Sequence, residues 1–347
     1  MCVRVTDLRG VDLNTYRFDF DLTFQALAMN ADGTVYHRFG SRNSESADGL
    51  LRMSALVGVL EAGLAAHAKH EPRPGDPKPP KTLDDYPVWQ EKLADVKRRK
   101  RSIDCYHCHF VFETERRQAV RDGTWERAQI WRWPPPEQVG LDLDPERPQQ
   151  IVTVLAGSPA AEAGVQAGDR LLRAGTQPVA SRADLSSVLE DALPSGARIP
   201  LQLERSGEAR ELTLELEPGW RVGTPEQFAW RPSKWGLEPK PGFGGPLLNA
   251  KQKAQLGLDP DAFALRVNYL VTWGDDPRYG KAVVAAGLRK GDVLLGVEVD
   301  GERVRLESGP HLHSWWRLTR SPGERVRLLV RRREQELGVE VEVLPPK

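Results

Sequence analysis

Ser158-Pro-Ala-Ala-Glu-Ala-Gly164, followed by Ala167-Gly-Asp-Arg-Leu-Leu172, is the stretch whose reading decides the fold. A short helix opens after Ser158 and ends at Gly164, where left-handed backbone costs little. Gly168-Asp169 turns the chain into a strand of leucines. Ser181 then stands at the N-cap of a second helix, Arg182 to Leu193. The pattern recurs. Ala163-Gly-Val-Gln-Ala-Gly-Asp-Arg-Leu-Leu172 aligns with Ala286-Gly-Leu-Arg-Lys-Gly-Asp-Val-Leu-Leu295, and the strand from Gly196 to Arg205 aligns with Gly323 to Arg332. Each copy closes on an alternating strand, Glu211 to Leu216 and Val339 to Val343. Internal repetition of this kind marks a duplicated domain.

These elements resemble the PDZ family over about residues 137–217 and 255–345. The resemblance implies a groove between the second helix and one sheet edge. An extended or C-terminal peptide adds there as an extra strand. An apolar-Gly-apolar loop before the edge strand offers backbone N–H groups to a terminal carboxylate. Val139-Gly140-Leu141 matches it in the first copy, and Leu256-Gly257-Leu258 matches it more weakly in the second. The bland alternative is a pair of structural spacers with grooves blocked by their own chain. PDZ domains often accompany trypsin-like proteases of the envelope. No Gly-Asn-Ser-Gly-Gly type nucleophile segment is present, so the sequence argues against protease activity in this chain.

Cys105-Tyr-His-Cys108-His109 carries the second motif. Its spacing suits covalent c-type haem: two thiols one helical turn apart bond the vinyl groups, and His109 reaches the iron. Two readings compete with it, a dithiol in which a helix N-terminus lowers one thiol pKa, and a zinc site using both cysteines and His109. Trp125, Trp131 and Trp133 stand downstream as possible cover for a macrocycle. His107 reads as a bystander, and the lone His37, His67 and His70 as surface residues.

Near the N-terminus, Leu22 to Met29, the turn Asn30-Ala-Asp-Gly33 and Thr34 to Phe39 read as a hairpin. Leu50, Met53, Leu56, Val57, Leu60 and Leu64 follow at helical spacing. Together with the stretch from Cys2 to Thr23, this order resembles a bacterial family of thioredoxin-like/PDZ proteins, some carrying selenocysteine. The resemblance spans essentially the whole chain. It implies a redox role, with Cys2 beside the position of the family's redox residue. A selenocysteine codon upstream would account for the start at Met1. The chain lacks the family's first strand, its nucleophile and the usual cis-proline before Leu22-Thr23. Cys2 as a mere terminal residue is the competing reading.

Composition bounds these expectations. Of 347 residues, 49 are basic and 49 acidic, so no overall field attracts nucleic acid or an anionic membrane. The basic run Lys97 to Arg101 reads as a solvated helix end. No apolar run approaches a membrane span. Three cysteines are too few for a disulfide framework. The expected architecture is α+β: a truncated thioredoxin-like unit (1–75), a Pro-rich linker with the Cys-x-x-Cys-His segment (76–136), PDZ 1 (137–220), an ordered connector (221–254) and PDZ 2 (255–347). The expected function is thiol exchange or electron transfer, docked to partner proteins through the PDZ units. The alternative is a scaffold with structural or zinc-holding cysteines. An envelope or periplasmic location follows if an export signal precedes the chain.

Overall fold

The computed structural model of the chain describes residues 1–71, 79–274 and 276–346. Residues 76–78, the start of the expected Pro-rich linker, lie outside them. Two compact units divide the chain, Met1–Gly223 and Thr224–Lys347.

In the first unit, β1 (Ala26–Met29) pairs antiparallel with β2 (Val35–Phe39). Gly33, at φ 88°, supplies the left-handed backbone of the turn. Helix α1 (Met53–His67) covers the hairpin, with the opposite face from the one its large residues suggest. Ala55, Val59 and Gly63 are buried, whereas Met53, Val57, Leu60 and Leu64 are exposed. The approach is too close for long side chains: a Cβ on Gly63 would stand 2.9 Å from Ala28 Cβ. Among the described residues β1 and β2 form a two-stranded sheet of their own. The thioredoxin-like unit expected here therefore lacks a central sheet. Helices α2 (Pro87–Arg98) and α3 (Cys108–Arg121) follow, and Trp89 packs edge-on against Tyr106 at 4.8 Å.

The remainder of this unit holds β3 (Leu141–Leu143), β4 (Ile151–Val154), α4 (Pro159–Glu162), β5 (Arg170–Ala174), β6 (Gln177–Pro178), α5 (Arg182–Asp191), β7 (Ala197–Arg205) and β8 (Glu208–Leu216). Strands order as β6-β5-β7-β8, and β3 pairs with β4. Ile199, Leu201 and Leu203 alternate inward along β7, as one buried sheet face requires. They join Val139, Leu141, Ile151, Leu171, Leu185 and Leu189 in one core. Ser181 caps α5 by accepting from Asp184 N. Asp184 in turn binds the hairpin: Oδ2 meets His37 Nδ1 at 2.8 Å, and Oδ1 accepts from Arg38 N at 2.8 Å. Ser181 Oγ donates to Arg38 O. His37 is thus a buried anchor and not the surface residue its isolation in sequence implied.

The second unit comprises α6 (Pro225–Phe228), β9 (Phe243–Gly244), α7 (Ala250–Gln255), β10 (Leu265–Arg266), β11 (Tyr269–Leu270), α8 (Arg278–Ala285), β12 (Val293–Val299), β13 (Glu302–Val304), α9 (Gly309–Thr319), β14 (Arg325–Arg332) and β15 (Gln335–Glu342). The connector from Thr224 onward belongs to this unit.

Backbone bonding repeats between the units. Ile151 N donates to Asp169 O at 2.9 Å, as Val267 N does to Asp292 O at 2.8 Å. Leu155 N donates to Gly140 O at 2.9 Å, as Val271 N does to Gly242 O at 2.7 Å. Asp169 is gripped by both arms of Arg205, and Asp292 by both arms of Arg332. Ser181 and Ser308 cap equivalent helices, α5 and α9.

Candidate functional site

The edge of β3 is built from a glycine outward. Gly140 ends the 3-10 turn Pro136–Val139 with φ 84°, and a Cβ there would stand 2.0 Å from Ser158 Oγ. Only glycine meets both demands. Pairing then alternates along β3. Gly140 and Asp142 turn their peptide groups toward β4, because Leu155 N bonds Gly140 O and Asp142 faces Thr153. The N–H and C=O of Leu141 therefore point to the other edge. The side chains of Val139 and Leu141 are buried in the core, so this loop offers backbone alone.

Helix α5 lies along that edge with Arg182, Ser186 and Glu190 at helical spacing on one stripe. Arg182 is 5% exposed. It donates to Leu143 O at 3.0 Å, reaches Asp142 Oδ1 at 3.5 Å and pairs with Glu137. Glu190 is held at the other end by Arg132, by Trp133 N at 2.8 Å and by Arg221 at 3.3 Å. Both charges of the stripe are neutralised inside the unit.

In the second unit Leu256-Gly257-Leu258 does not stand beside such an edge. Leu256 caps α7, Gly257 takes φ 64°, and Leu256 and Leu258 pack on Leu248, Ala264, Val293 and Leu295. The register of Gly140-Leu141 is taken by Gly242-Phe243: Gly242 has φ 79°, and Phe243 pairs with Leu270 as Leu141 pairs with Val154. Pro241-Gly242-Phe243 also reads apolar-Gly-apolar, a signal hidden by the insertion of α7 between the loop and the Gly291-Asp292 turn.

Cys2 is exposed, while Cys105 and Cys108 are half-buried, and all three are free thiols. Cys108 opens α3, yet burial pushes its thiol up, with Asp19 adding to the effect. That is the reverse of an activated thiol. His109 is held below the usual histidine range by burial and by His107, on which its ring stacks at 5.6 Å. Trp89 lies against Phe110 at 5.5 Å, and Phe110 against His109 at 4.8 Å, so this segment is packed by its own aromatics. Asp7, Leu8 and Arg9 bond to residues 103–106. Among the described residues no group of three His, Cys, Asp or Glu is arranged to hold a metal ion, including the zinc reading at Cys105, Cys108 and His109. No helix of the described residues is long and apolar enough to cross a membrane.

The family model for the PDZ domain matches residues 138–216. The chain is similar to the periplasmic pH-dependent serine endoprotease DegQ of Escherichia coli (strain K12), 27% identical over 160 residues, which are 46% of this chain and 30% of DegQ. It is similar to the magnetosome formation protease MamE of Magnetospirillum gryphiswaldense, 41% identical over 59 residues, 17% of this chain and 8% of MamE. Among solved structures, the HtrA-type protease AlgW with decapeptide aligns with TM-score 0.24 and 17% identity, over 44% of this chain and 50% of that one. The chain spans less than a third of the curated relatives it matches.

A PDZ domain is therefore present, and PDZ domains bind peptides. The redox expectation is overturned. The relatives are serine endoproteases, not thioredoxin-like proteins. Thiol exchange, electron transfer and c-type haem at Cys2, Cys105, Cys108 and His109 fall with it, as does the thioredoxin-like label.

Proposed function

We propose that this chain is the substrate-recognition part of an envelope proteolytic system of the DegQ kind, capturing extended polypeptide segments in two PDZ domains. The first domain takes a peptide along β3, with Val139-Gly140-Leu141 as the loop that receives its end. The observation that carries this reading is the outer edge of β3, which pairs with no strand among the described residues and to which the register turns Leu141 N–H and C=O, away from β4. A peptide strand completes that ladder. The second domain rests on the repeated register at Gly242-Phe243, the repeated Asp–Arg fork and the capped helix beside it. A periplasmic setting follows from the DegQ match.

Titrating the whole chain with a library of C-terminal peptides tests the reading. Micromolar binding is expected, about 8 kcal/mol, with the Leu141 amide gaining protection from hydrogen exchange. Failure of every peptide to bind at millimolar concentration overturns it. So does binding that leaves Leu141 and Phe243 amides equally exposed.

A further inference from the structure

A cavity of about 260 Å³ opens in the first unit between the N-terminal segment, helix α3 and Arg132-Trp133. Its lining residues all lie outside 138–216, so it is separate from the β3 edge. Tyr16, Phe18, Phe20 and Trp133 are its aromatic walls, and Leu13 and Val111 are its aliphatic ones. Asn14 and Tyr16 are exposed, whereas Phe20, Val111 and Trp133 are buried. The cavity therefore runs from solvent down to an apolar floor. Close-packed interiors leave few spaces of this size, and an apolar cavity of about 150 Å³ already holds a benzene ring.

The walls are fixed by bonds of their own. Leu13 N donates to Lys81 O at 2.6 Å, Asn14 Nδ2 to Pro79 O at 2.9 Å, and Tyr16 N to Asp12 O at 2.9 Å. Phe18 meets Phe20 edge-on at 5.7 Å, and Phe20 leans on Phe112 at 5.5 Å. Trp133 keeps a left-handed backbone, φ 50°, which is costly for a bulky side chain. Its N–H, donating to Glu190 at 2.8 Å, helps hold it there. The two cations of the lining are already matched. Arg17 pairs with Asp191 at 2.7 Å and lies 6.0 Å from the Trp133 ring. Arg132 pairs with Glu190, and with Glu115 at 3.5 Å, and lies 5.4 Å from the Phe20 ring. A charged ligand would lose its hydration here without meeting an unspent partner among these cations.

We infer that this cavity is a binding site for a neutral aromatic ring with a polar tip, a phenol or an indole. The ring packs face-on or edge-on against the aromatic walls, and its polar tip stays at the mouth, beside Asn14 and Tyr16, where water reaches it. The same ring enters as a free compound or as a tyrosine or tryptophan side chain of a polypeptide, and the test separates these sources. The site goes beyond peptide capture at β3 and stands without that reading.

The test uses the whole chain and four probes: p-cresol, indole, cyclohexanol and a blocked Gly-Tyr-Gly peptide. Binding is read by calorimetry and by the methyl resonances of Leu13 and Val111, which ring currents displace. The better of the two rings is expected to bind roughly fivefold tighter than cyclohexanol, which has similar bulk and no ring face, and to shift both residues' methyls. Leu13→Trp, which fills the cavity, is expected to abolish that binding, read then at Val111. Tyr16→Ala removes an exposed wall, is expected to weaken binding severalfold, and decides the matter if Leu13→Trp melts early. The peptide identifies the source: binding as tight as p-cresol upholds the site with a polypeptide side chain, and failure beside a bound p-cresol upholds it with a free compound. Equal affinity for ring and cyclohexanol overturns the aromatic assignment. Methyls that stay silent, or binding that survives both substitutions, overturn the site, as does failure of both rings to bind at millimolar concentration.

Discussion

The two repeated units share a frame and differ along one helix stripe. Asp169 and Asp292 sit at the same turn, each gripped by an arginine from the penultimate strand. Ser181 and Ser308 cap the same helix. Yet Arg182 and Glu190 are consumed by Glu137, Leu143 O, Arg132 and Trp133 N, while Arg317 bonds to His313 and lies over the Trp235 ring, with Glu238 acting on its charge from a distance. A frame held by the same bonds leaves the groove-facing positions free to diverge, because the Asp–Arg fork and the serine cap do not depend on them.

The frame should fail equally in both units. Asp169→Asn and Asp292→Asn each break a buried fork and are expected to cost their own unit about 3 kcal/mol in denaturant unfolding. A large loss in one unit alone breaks the comparison.

Acid should separate the units next. His313 is held at about 3 by burial and the Arg317 charge, against an ordinary value near 6.5. The folded pKa is depressed, so this stability is present above pH 6.5 and is lost as pH falls toward 3. The unfolded chain takes up a proton that the folded ring refuses, costing up to about 1.4 kcal/mol per pH unit. His313→Gln should flatten that slope for the second unit. An unchanged slope shows that another group controls it.

Arg182 sharpens the contrast at the groove. It holds Leu143 O, an acceptor on the edge that an added peptide strand would use. Arg182→Ala should raise peptide affinity of the first unit about fivefold, near 1 kcal/mol, and leave the second unaltered. Unchanged affinity shows that a peptide does not pass Leu143.

The smallest effect is at the caps. Ser181→Ala and Ser308→Ala should each cost about 1 kcal/mol. Ser181 should cost somewhat more, because its hydroxyl also donates to Arg38 O of the hairpin. Thermal unfolding of both variants measures the gap, and equal losses mean the hairpin bond contributes nothing.

Much of this was legible in the chain. The Gly-Asp turns, the Ser181 cap and the alternating leucines of β7 are local, because each depends on neighbours within a few residues. The apolar-Gly-apolar pattern was legible too, but it occurs at both Gly242 and Gly257, and only strand register tells them apart. Helix α1 shows the same limit. Its large and small residues share one period, and the close approach of β1 at Gly63 decides that the small face packs. His37, isolated in sequence, is buried because Asp184, far along the chain, comes to meet it. The Cys-x-x-Cys-His spacing suggested chemistry that a half-buried Cys108 thiol, pushed up by desolvation, and proteolytic relatives do not support. Sequence alone determined the repeated frame, since turns, caps and alternation are short-range. Tertiary structure alone decided which charges are neutralised, since an ion pair depends on groups brought together through space.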